Sequence, residues 1–472
     1  MFMDFARCPF LNEEFLGQNT HGTLKRPREI VEGVGVERFN HALSEKCMRF
    51  PGARGGQISP RGDVPVLCCG AFEGGLVKLK LIIVIVALLT LGTAAETPAQ
   101  SSEAPTANKI DQVFSRVTSS DAPGLAVLVR KNGSTVFEHG YGVRELRTKA
   151  KINAHTNFRL ASFTKQFTAM AIMLLVHDGK LRYDERLTEI FPDFPMYGKS
   201  ITIRNLLNHT SGLPDYEDLM DAAEKSERTI WTPEKQIQDA EVLELLKKEI
   251  NGNFKPGTSW SYSNSGYVVL GLIVKKVSGN TYGEFLQTRI FAPLKMNHTI
   301  VFQKGENEVA NRAFGHTGYI MTHGGQNVYL SETDQSPTSA TLGDGGIYSN
   351  LEDLANWDEA LRNHTLLSEK EFQPALTPVR LADGSEPHWP AEPNDDNLHP
   401  GKPVSYGFGW FLDPYQGRQR MWHAGTTTGV RTVIEHFKEG EGLTVIILCN
   451  RSDLEPQKLA LQVADIFLSI KN

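Results

Sequence analysis

Residues 162–178 read SFTKQFTAMAIMLLVHD and are followed by Gly179. From Thr164 to Asp178 the stretch is apolar on nearly every face, a pattern that suits a helix surrounded by protein, so a buried helix stopped by Gly179 is expected. Ser162 and Lys165 stand at its head, at i and i+3, which places hydroxyl and amine one turn apart on one face. A helix start offers unpaired N–H groups and partial positive charge, which favours a nucleophile that passes through an anionic centre. A plain N-cap serine is the competing reading.

Outward from this helix the chain divides in a telling way. Toward the N-terminus, Asn108 to Val117 spaces apolar residues as an amphipathic helix, and Gly124–Val129 and Thr135–Val143 alternate as strands around the hairpin signal Asn132-Gly133. Toward the C-terminus, Gly407–Leu412, Gly417–Trp422, Gly429–Phe437 and Leu443–Cys449 are strand candidates, and Leu459–Ile470 is an amphipathic helix. Helical, proline-punctuated segments fill the space between. One sheet assembled from both ends of the domain, with a helical region inserted, is therefore expected. The proline-rich stretch 377–403 reads as a long surface loop lying over a site.

Two further segments carry possible chemistry. In Tyr262-Ser263-Asn264, a tyrosine can exchange a proton if neighbouring positive charge lowers its pKa, and Asn264 can hold an amide or ester in register. Surface polarity is the alternative. In His423-Ala424-Gly425-Thr426, placed after a strand ending at Trp422, His423 offers a donor or a positive charge. Gly425 allows a substrate backbone to approach, and the Thr426 N–H can polarise a carbonyl; a structural strand-end histidine is the alternative.

Together, SxxK at Ser162–Lys165, YxN at Tyr262–Asn264 and HxG at His423–Gly425 resemble the serine β-lactamase and penicillin-binding protein superfamily. The likeness is to the branch of class C β-lactamases and related esterases, D-aminopeptidases and D-alanyl-D-alanine carboxypeptidases. Leu206-Leu207-Asn208-His209-Thr210-Ser211-Gly212-Leu213 and Gly345-Gly346-Ile347-Tyr348-Ser349-Asn350, followed by Asp353-Leu354, are similar to landmarks of that branch. The resemblance covers about residues 108 to 470. It implies an α/β (α+β) fold of β-lactamase/transpeptidase type: an antiparallel sheet flanked by helices plus a helical domain, with the active site in the cleft between them. It also implies roles. Ser162 attacks a carbonyl to give an acyl-enzyme, Lys165 and Tyr262 move protons, Asn264 binds substrate, and the N–H groups of Ser162 and Thr426 hold the oxyanion.

One position departs from the pattern. Class C enzymes usually carry lysine where this chain has His423, so recognition of a substrate carboxylate should be weaker or pH-dependent. Arg431, on the next expected strand, is a candidate for the missing positive charge; a solvent-facing strand residue is the alternative. No separate catalytic glutamate of class A type is recognisable, which leaves deacylation to Tyr262 and Lys165. His209 is read as a local hydrogen-bonding residue that shapes its turn, and Asp344 as a turn residue.

The rest of the chain limits the classes available. Hydrophobic residues at 40% and charged residues at 22% of 472 are ordinary globular values, and a net charge of −6 argues against a general nucleic-acid binder. Zinc-type spacing is absent, so a metal enzyme has little support, and the acyl-transfer chemistry that the resemblance implies needs neither metal nor organic cofactor. Cys8, Cys47, Cys68 and Cys69 precede residue 75, leaving Cys449 alone in an apolar run as a buried, inert thiol. Lys78 and Lys80, the apolar run Leu81–Leu91 and the small residues to Ala95 describe a signal peptide over 76–95. Residues 1–75 then read as an upstream extension in the gene model or a disordered segment, 96–107 as a linker, and 108–472 as the hydrolase domain. The expectation is a periplasmic or secreted serine hydrolase acting on a D-Ala peptide, a β-lactam or a small ester. Its membrane contact would run only through the signal or anchor segment. A non-catalytic peptide-binding or sensor protein on the same fold, and a membrane-anchored form with Leu81–Leu91 uncleaved, are the rivals.

Overall fold

A computed structural model describes residues 103–227, 230–320, 328–391, 399–438 and 442–468. The expected extension 1–75, the signal segment 76–95 and most of the linker lie outside the described residues. The first helix, α1 (Glu103–Ser115), starts within the stretch read as linker rather than at Asn108. Among the described residues, no helix is long and apolar enough to cross a membrane.

The sheet is built from both ends of the domain. Strands β1 (Leu125–Lys131) and β2 (Ser134–Tyr141) form a hairpin, and β3 (Arg420–Thr427), β4 (Val430–Phe437) and β5 (Leu443–Cys449) follow near the C-terminus. Their spatial order is β2-β1-β5-β4-β3, with every pairing antiparallel. The turn at Asn132-Gly133 has φ of 50° and 80°, the left-handed pair that a two-residue hairpin needs. Central β5 (LTVIILC) is buried along its whole length because both of its faces are covered.

Alternation along the strands sorts side chains to two cores. Leu125, Val127, Val433, Val445 and Cys449 pack against Ile110 and Phe114 of α1 and against Leu459 and Val463 of α7 (Pro456–Leu468). Ala126, Leu128, Ile434, Ile446 and Leu448 face the larger core of the inserted helices. At its centre lies α2 (Lys165–His177), buried from Lys165 to Leu175 and ended by Asp178 and by Gly179 at φ 68°. It packs on α5 (Asn264–Ser278), which Ser263 caps and Gly279 closes. The helices α3 (Tyr216–Glu227), α4 (Asp239–Lys248) and α6 (Leu351–Arg362) complete the block.

Two strand expectations are corrected. Gly407–Leu412 is a loop joined only by single bridges, because a Cβ at Gly407 would lie 1.9 Å from the Ala375 carbonyl oxygen and Gly409 turns at φ 77° against the backbone of Lys165. The expected strand Gly417–Trp422 begins at Arg420 and runs on to Thr427, so His423 is mid-strand, not beyond a strand end. Here β3 pairs with β4 through a tight turn at Thr428-Gly429 that outweighs the weak strand propensity of Gly425. The described part of 377–403 folds onto the aromatic residues beside Tyr262: Trp389 lies 4.8 Å from Trp260 and 5.8 Å from Phe411, ring centre to ring centre.

Candidate active site

The nucleophile segment is a single 3-10 turn, Ala161–Thr164, leading into α2. Ser162 is not a helix cap: neither this turn nor α2 has a side-chain cap bond at its start. Ala161 sits at φ 50°, the left-handed region an alanine seldom adopts, at a cost of about 1–3 kcal/mol that the surrounding contacts must offset. Those contacts are specific. Leu160 N–H donates to the Ile347 carbonyl (2.8 Å), and the Leu160 carbonyl accepts from the Thr432 hydroxyl (2.7 Å) on β4.

Gly425 explains how close the sheet comes. A Cβ there would stand 2.2 Å from the Leu160 carbonyl oxygen and 2.5 Å from Thr432 Oγ1. The structure gives this glycine a role beside the expected approach of a substrate backbone: it admits the chain that carries Ser162. On β3, Trp422 N–H points off the free edge of the sheet to the Phe411 carbonyl (2.9 Å). Thr426 has the same parity in the ladder, so its N–H is directed to that free edge, beside Ser162.

Lys165 is fully buried, and its Nζ donates to Ser162 Oγ at 2.9 Å, Asn264 Oδ1 at 2.9 Å and the Asp344 carbonyl at 3.2 Å. Asn264 reaches it from the first turn of α5. Tyr262 is half-buried, its ring 4.8 Å from Lys165 Nζ and stacked parallel to Phe411. The structure thus brings Ser162, Lys165, Tyr262, Asn264 and Thr426 together.

His423 and Arg431 behave otherwise. His423 is buried among Tyr406, Phe411 and Tyr262, with Nδ1 2.7 Å from the Ala424 carbonyl and Nε2 3.2 Å from the Tyr406 hydroxyl. The carbonyl can only accept, so Nδ1 carries the proton and Nε2 accepts from tyrosine. Burial, and secondarily the Lys165 charge, push its pKa down to about 3, against a weaker upward pull from Ala424. Its expected partial charge near neutrality is corrected: this histidine is neutral there. Arg431 pairs with Cys449 in register and shares the parity of Val433, which places it on the face covered by α1 and α7. Burial lowers its pKa, and Cys449, Glu455 and Asp453 oppose that shift. It does not supply the missing cation. Cys449 is buried, and its thiol is pushed up to about 12, chiefly by burial.

Two residues were under-read. His209, at φ 63°, does shape its turn, its N–H donating to the Leu206 carbonyl (3.5 Å), but it also reaches further: its Nδ1 accepts the Ser263 N–H (3.1 Å), its carbonyl accepts the Ser261 N–H, and its ring lies 4.5 Å from Tyr262. Burial holds it well below the usual histidine range. It docks the tyrosine segment onto the chain at 206–213. Asp344 is more than a turn residue, since its carbonyl holds Lys165 and the residue lines the cleft with Ser162 and Asn264. An ionisable residue amid Gly343, Gly345 and Gly346 was the available signal.

The chain is similar to known proteins in sequence and in fold. The profile of the beta-lactamase family matches residues 110–466. Penicillin-binding protein 4* of Bacillus subtilis (strain 168) is 33% identical over 356 residues, covering 72% of this chain and 71% of its own length. The putative penicillin-binding protein PbpX of the same strain is 31% identical over 327 residues, 69% of each. Among solved structures, D-amino acid amidase from Ochrobactrum anthropi SV3, complexed with D-phenylalanine, superposes with a TM-score of 0.62 at 23% identity, covering 78% of this chain and 100% of that one. The octameric penicillin-binding protein homologue from Pyrococcus abyssi gives 0.60 at 24% identity over 78% of both chains. The fold is shared with both. The chain belongs to the beta-lactamase family and is a serine hydrolase of the serine β-lactamase and penicillin-binding protein superfamily.

Proposed function

We propose that the protein is an exported hydrolase of amides or esters that works through an acyl-enzyme on Ser162. The observation that carries this reading is the 2.9 Å contact of Lys165 Nζ with Ser162 Oγ, made by an amine also bound to Asn264 and Asp344. A fully protonated amine can donate to all three acceptors. With two protons it keeps Asn264 and Asp344 and accepts from Ser162, which is the state that takes the serine proton. Oγ then bonds to the substrate carbonyl carbon, and the oxyanion is met by the N–H groups of Ser162 and Thr426, a contribution of about 3 kcal/mol per donor. Collapse expels the amine or alcohol, which leaves with a proton passed from Lys165 through Tyr262. Water attacks the ester by the reverse proton path, releasing the acid and restoring the Ser162 hydroxyl.

D-Ala peptides, β-lactams and small esters are the substrate classes considered, in keeping with relatives called penicillin-binding proteins and a structural neighbour called a D-amino acid amidase. Export rests on the basic, apolar and small-residue pattern of 76–95, and places the enzyme in the periplasm or outside the cell.

A chromogenic cephalosporin, short-chain nitrophenyl esters and D-Ala-D-Ala peptides should reveal at least one substrate. Ser162→Ala should lower its turnover by about 10³-fold or more. Equal turnover by the two proteins on every substrate overturns the reading.

A further inference from the structure

The cleft that opens on Ser162 is lined by Arg159, Tyr216, Glu217, Asn264, Asp344 and Thr426, among others. Its charges are unevenly committed. Arg159 spends Nε on the Gly345 carbonyl (3.0 Å) and Nη2 on the Ser339 carbonyl (3.1 Å), both structural bonds. Asp344 is 6% exposed; its Oδ2 accepts from the Tyr216 hydroxyl (3.3 Å), and its Oδ1 is buried with no hydrogen-bond partner among the described residues. A carboxylate oxygen left without a donor is costly, more so than a neutral group. Glu217, from the first turn of α3, adds a second carboxylate to the same wall.

The two groups that the sequence offered for a substrate carboxylate do not reach this wall, and its lining cation Arg159 is tied to backbone carbonyls through Nε and Nη2. His423 is neutral and turned into the aromatic cluster, and Arg431 is on the far face of the sheet. The Asp344 backbone carbonyl binds Lys165, so its carboxylate lies one residue's reach from the reacting centre.

From this juxtaposition we propose that the cleft selects substrates whose acyl part carries a free ammonium group, such as α-amino acid amides and esters, and that Asp344 is the acceptor that recognises it. The inference rests on the serine-hydrolase reading above. Rotation about the soft Cβ–Cγ torsion turns Oδ1 to the incoming N–H, at the expense of the long 3.3 Å bond from Tyr216 to Oδ2. The resulting charge-assisted bond satisfies the orphan oxygen, and Glu217 strengthens the field. An N-acylated analogue offers no cation and leaves Asp344 unpaired, so the cleft discriminates by loss of a bond as well as by repulsion of anions.

The test compares the purified full chain on alanine p-nitroanilide, in D and L forms, with the same compounds N-acetylated, and uses p-nitrophenyl acetate as a neutral ester. The free amine should be preferred in kcat/KM by roughly tenfold or more, the size of one charge-assisted hydrogen bond. In Asp344→Asn that preference should fall toward unity, with the change mainly in KM, and Glu217→Gln should reduce it less. The ratio is internal to each protein, so a general loss of activity does not obscure it, and the wild-type ratio is decisive even if a variant does not fold. Equal handling of free and acetylated substrates by the wild type, or an undiminished preference in a folded Asp344→Asn, overturns the proposal. If Ser162-dependent hydrolysis of the neutral ester accompanies that result, the hydrolase reading survives it; if Ser162→Ala hydrolyses the ester as fast as the wild type, both fall.

Discussion

The two sides of the reacting centre solve one electrostatic problem in opposite ways. On the helix side, Lys165 is buried and kept in place by Ser162, Asn264 and Asp344, three acceptors from three separate segments. On the sheet side, His209 and His423 are equally buried, but rings surround them: Trp260, Tyr262 and Tyr406 around one, Tyr262, Tyr406 and Phe411 around the other. Both histidines are held neutral, first by desolvation and next by the Lys165 charge itself. The centre thus keeps an amine where three acceptors are supplied and refuses charge where rings crowd the histidines and the polar partners present, Ser263 N–H for His209 and the Ala424 carbonyl and Tyr406 hydroxyl for His423, satisfy the neutral form. A buried ionisable group takes the form its immediate partners can satisfy.

The largest test of this contrast is Lys165→Met. It removes the amine and leaves Ser162 Oγ, Asn264 Oδ1 and the Asp344 carbonyl without that donor. Hydrolysis of any substrate found for the wild type should drop by about 10³-fold or more in kcat/KM, the scale of a lost general base acting on a nucleophile. Thermal unfolding should still show a cooperative transition, because α2 keeps its apolar contacts with Phe291 and Trp357 through Phe167. Activity retained within about tenfold would mean that Ser162 is activated from the sheet side instead.

The second test addresses the neutral histidine. The folded pKa of His423, about 3, lies below the ordinary histidine value of 6.5. Between those values the unfolded chain binds a proton that the folded chain refuses, so stability rises with pH across that window and is lost as pH falls through it. His209 acts with the same sign. In His423→Gln, the difference in urea-unfolding free energy between pH 7 and pH 4 should shrink by roughly 1 kcal/mol or more. His423→Lys should be far less stable than His423→Gln at both values, since an ammonium there meets aromatic rings and a single carbonyl. An unchanged pH dependence in the glutamine variant would show that His423 binds its proton in the folded protein as it does in the unfolded chain.

How much of this was legible in the sequence follows the range of each contact. Ser162 and Lys165 stand at helical spacing, so their approach is local and readable; the hairpin at Asn132-Gly133 and the apolar run of β5 are local too. Asn264 could be placed at a helix start, but not against Lys165, because nothing periodic links segments that meet only through tertiary packing. Gly425 was read as a site of close approach, and the approach of Leu160 to it could not be read because that contact is tertiary. For His423, the neighbours Met421, Trp422 and Ala424 announced an apolar setting, and that setting, not the free-solution pKa, decides its charge. Asp344 and His209 went under-read for the same reason: their partners, Lys165 and Ser263, lie in other segments of the chain.

Arg431 gives the smallest effect and the sharpest limit on the contrast. Strand alternation puts its side chain with Val433 and Cys449, behind the sheet, where Asp453 and Glu455 are the nearby acidic influences. A guanidinium there lies on the face of the sheet that carries Val433 and Cys449, away from the face on which Thr432 meets Leu160. Arg431→Gln should therefore leave kcat/KM within roughly threefold for carboxylate-bearing and neutral substrates alike, since a group remote from the reacting atoms enters only through the fold. A selective loss on carboxylate-bearing substrates, read from the ratio of the two, would instead place positive charge on the sheet side of the centre.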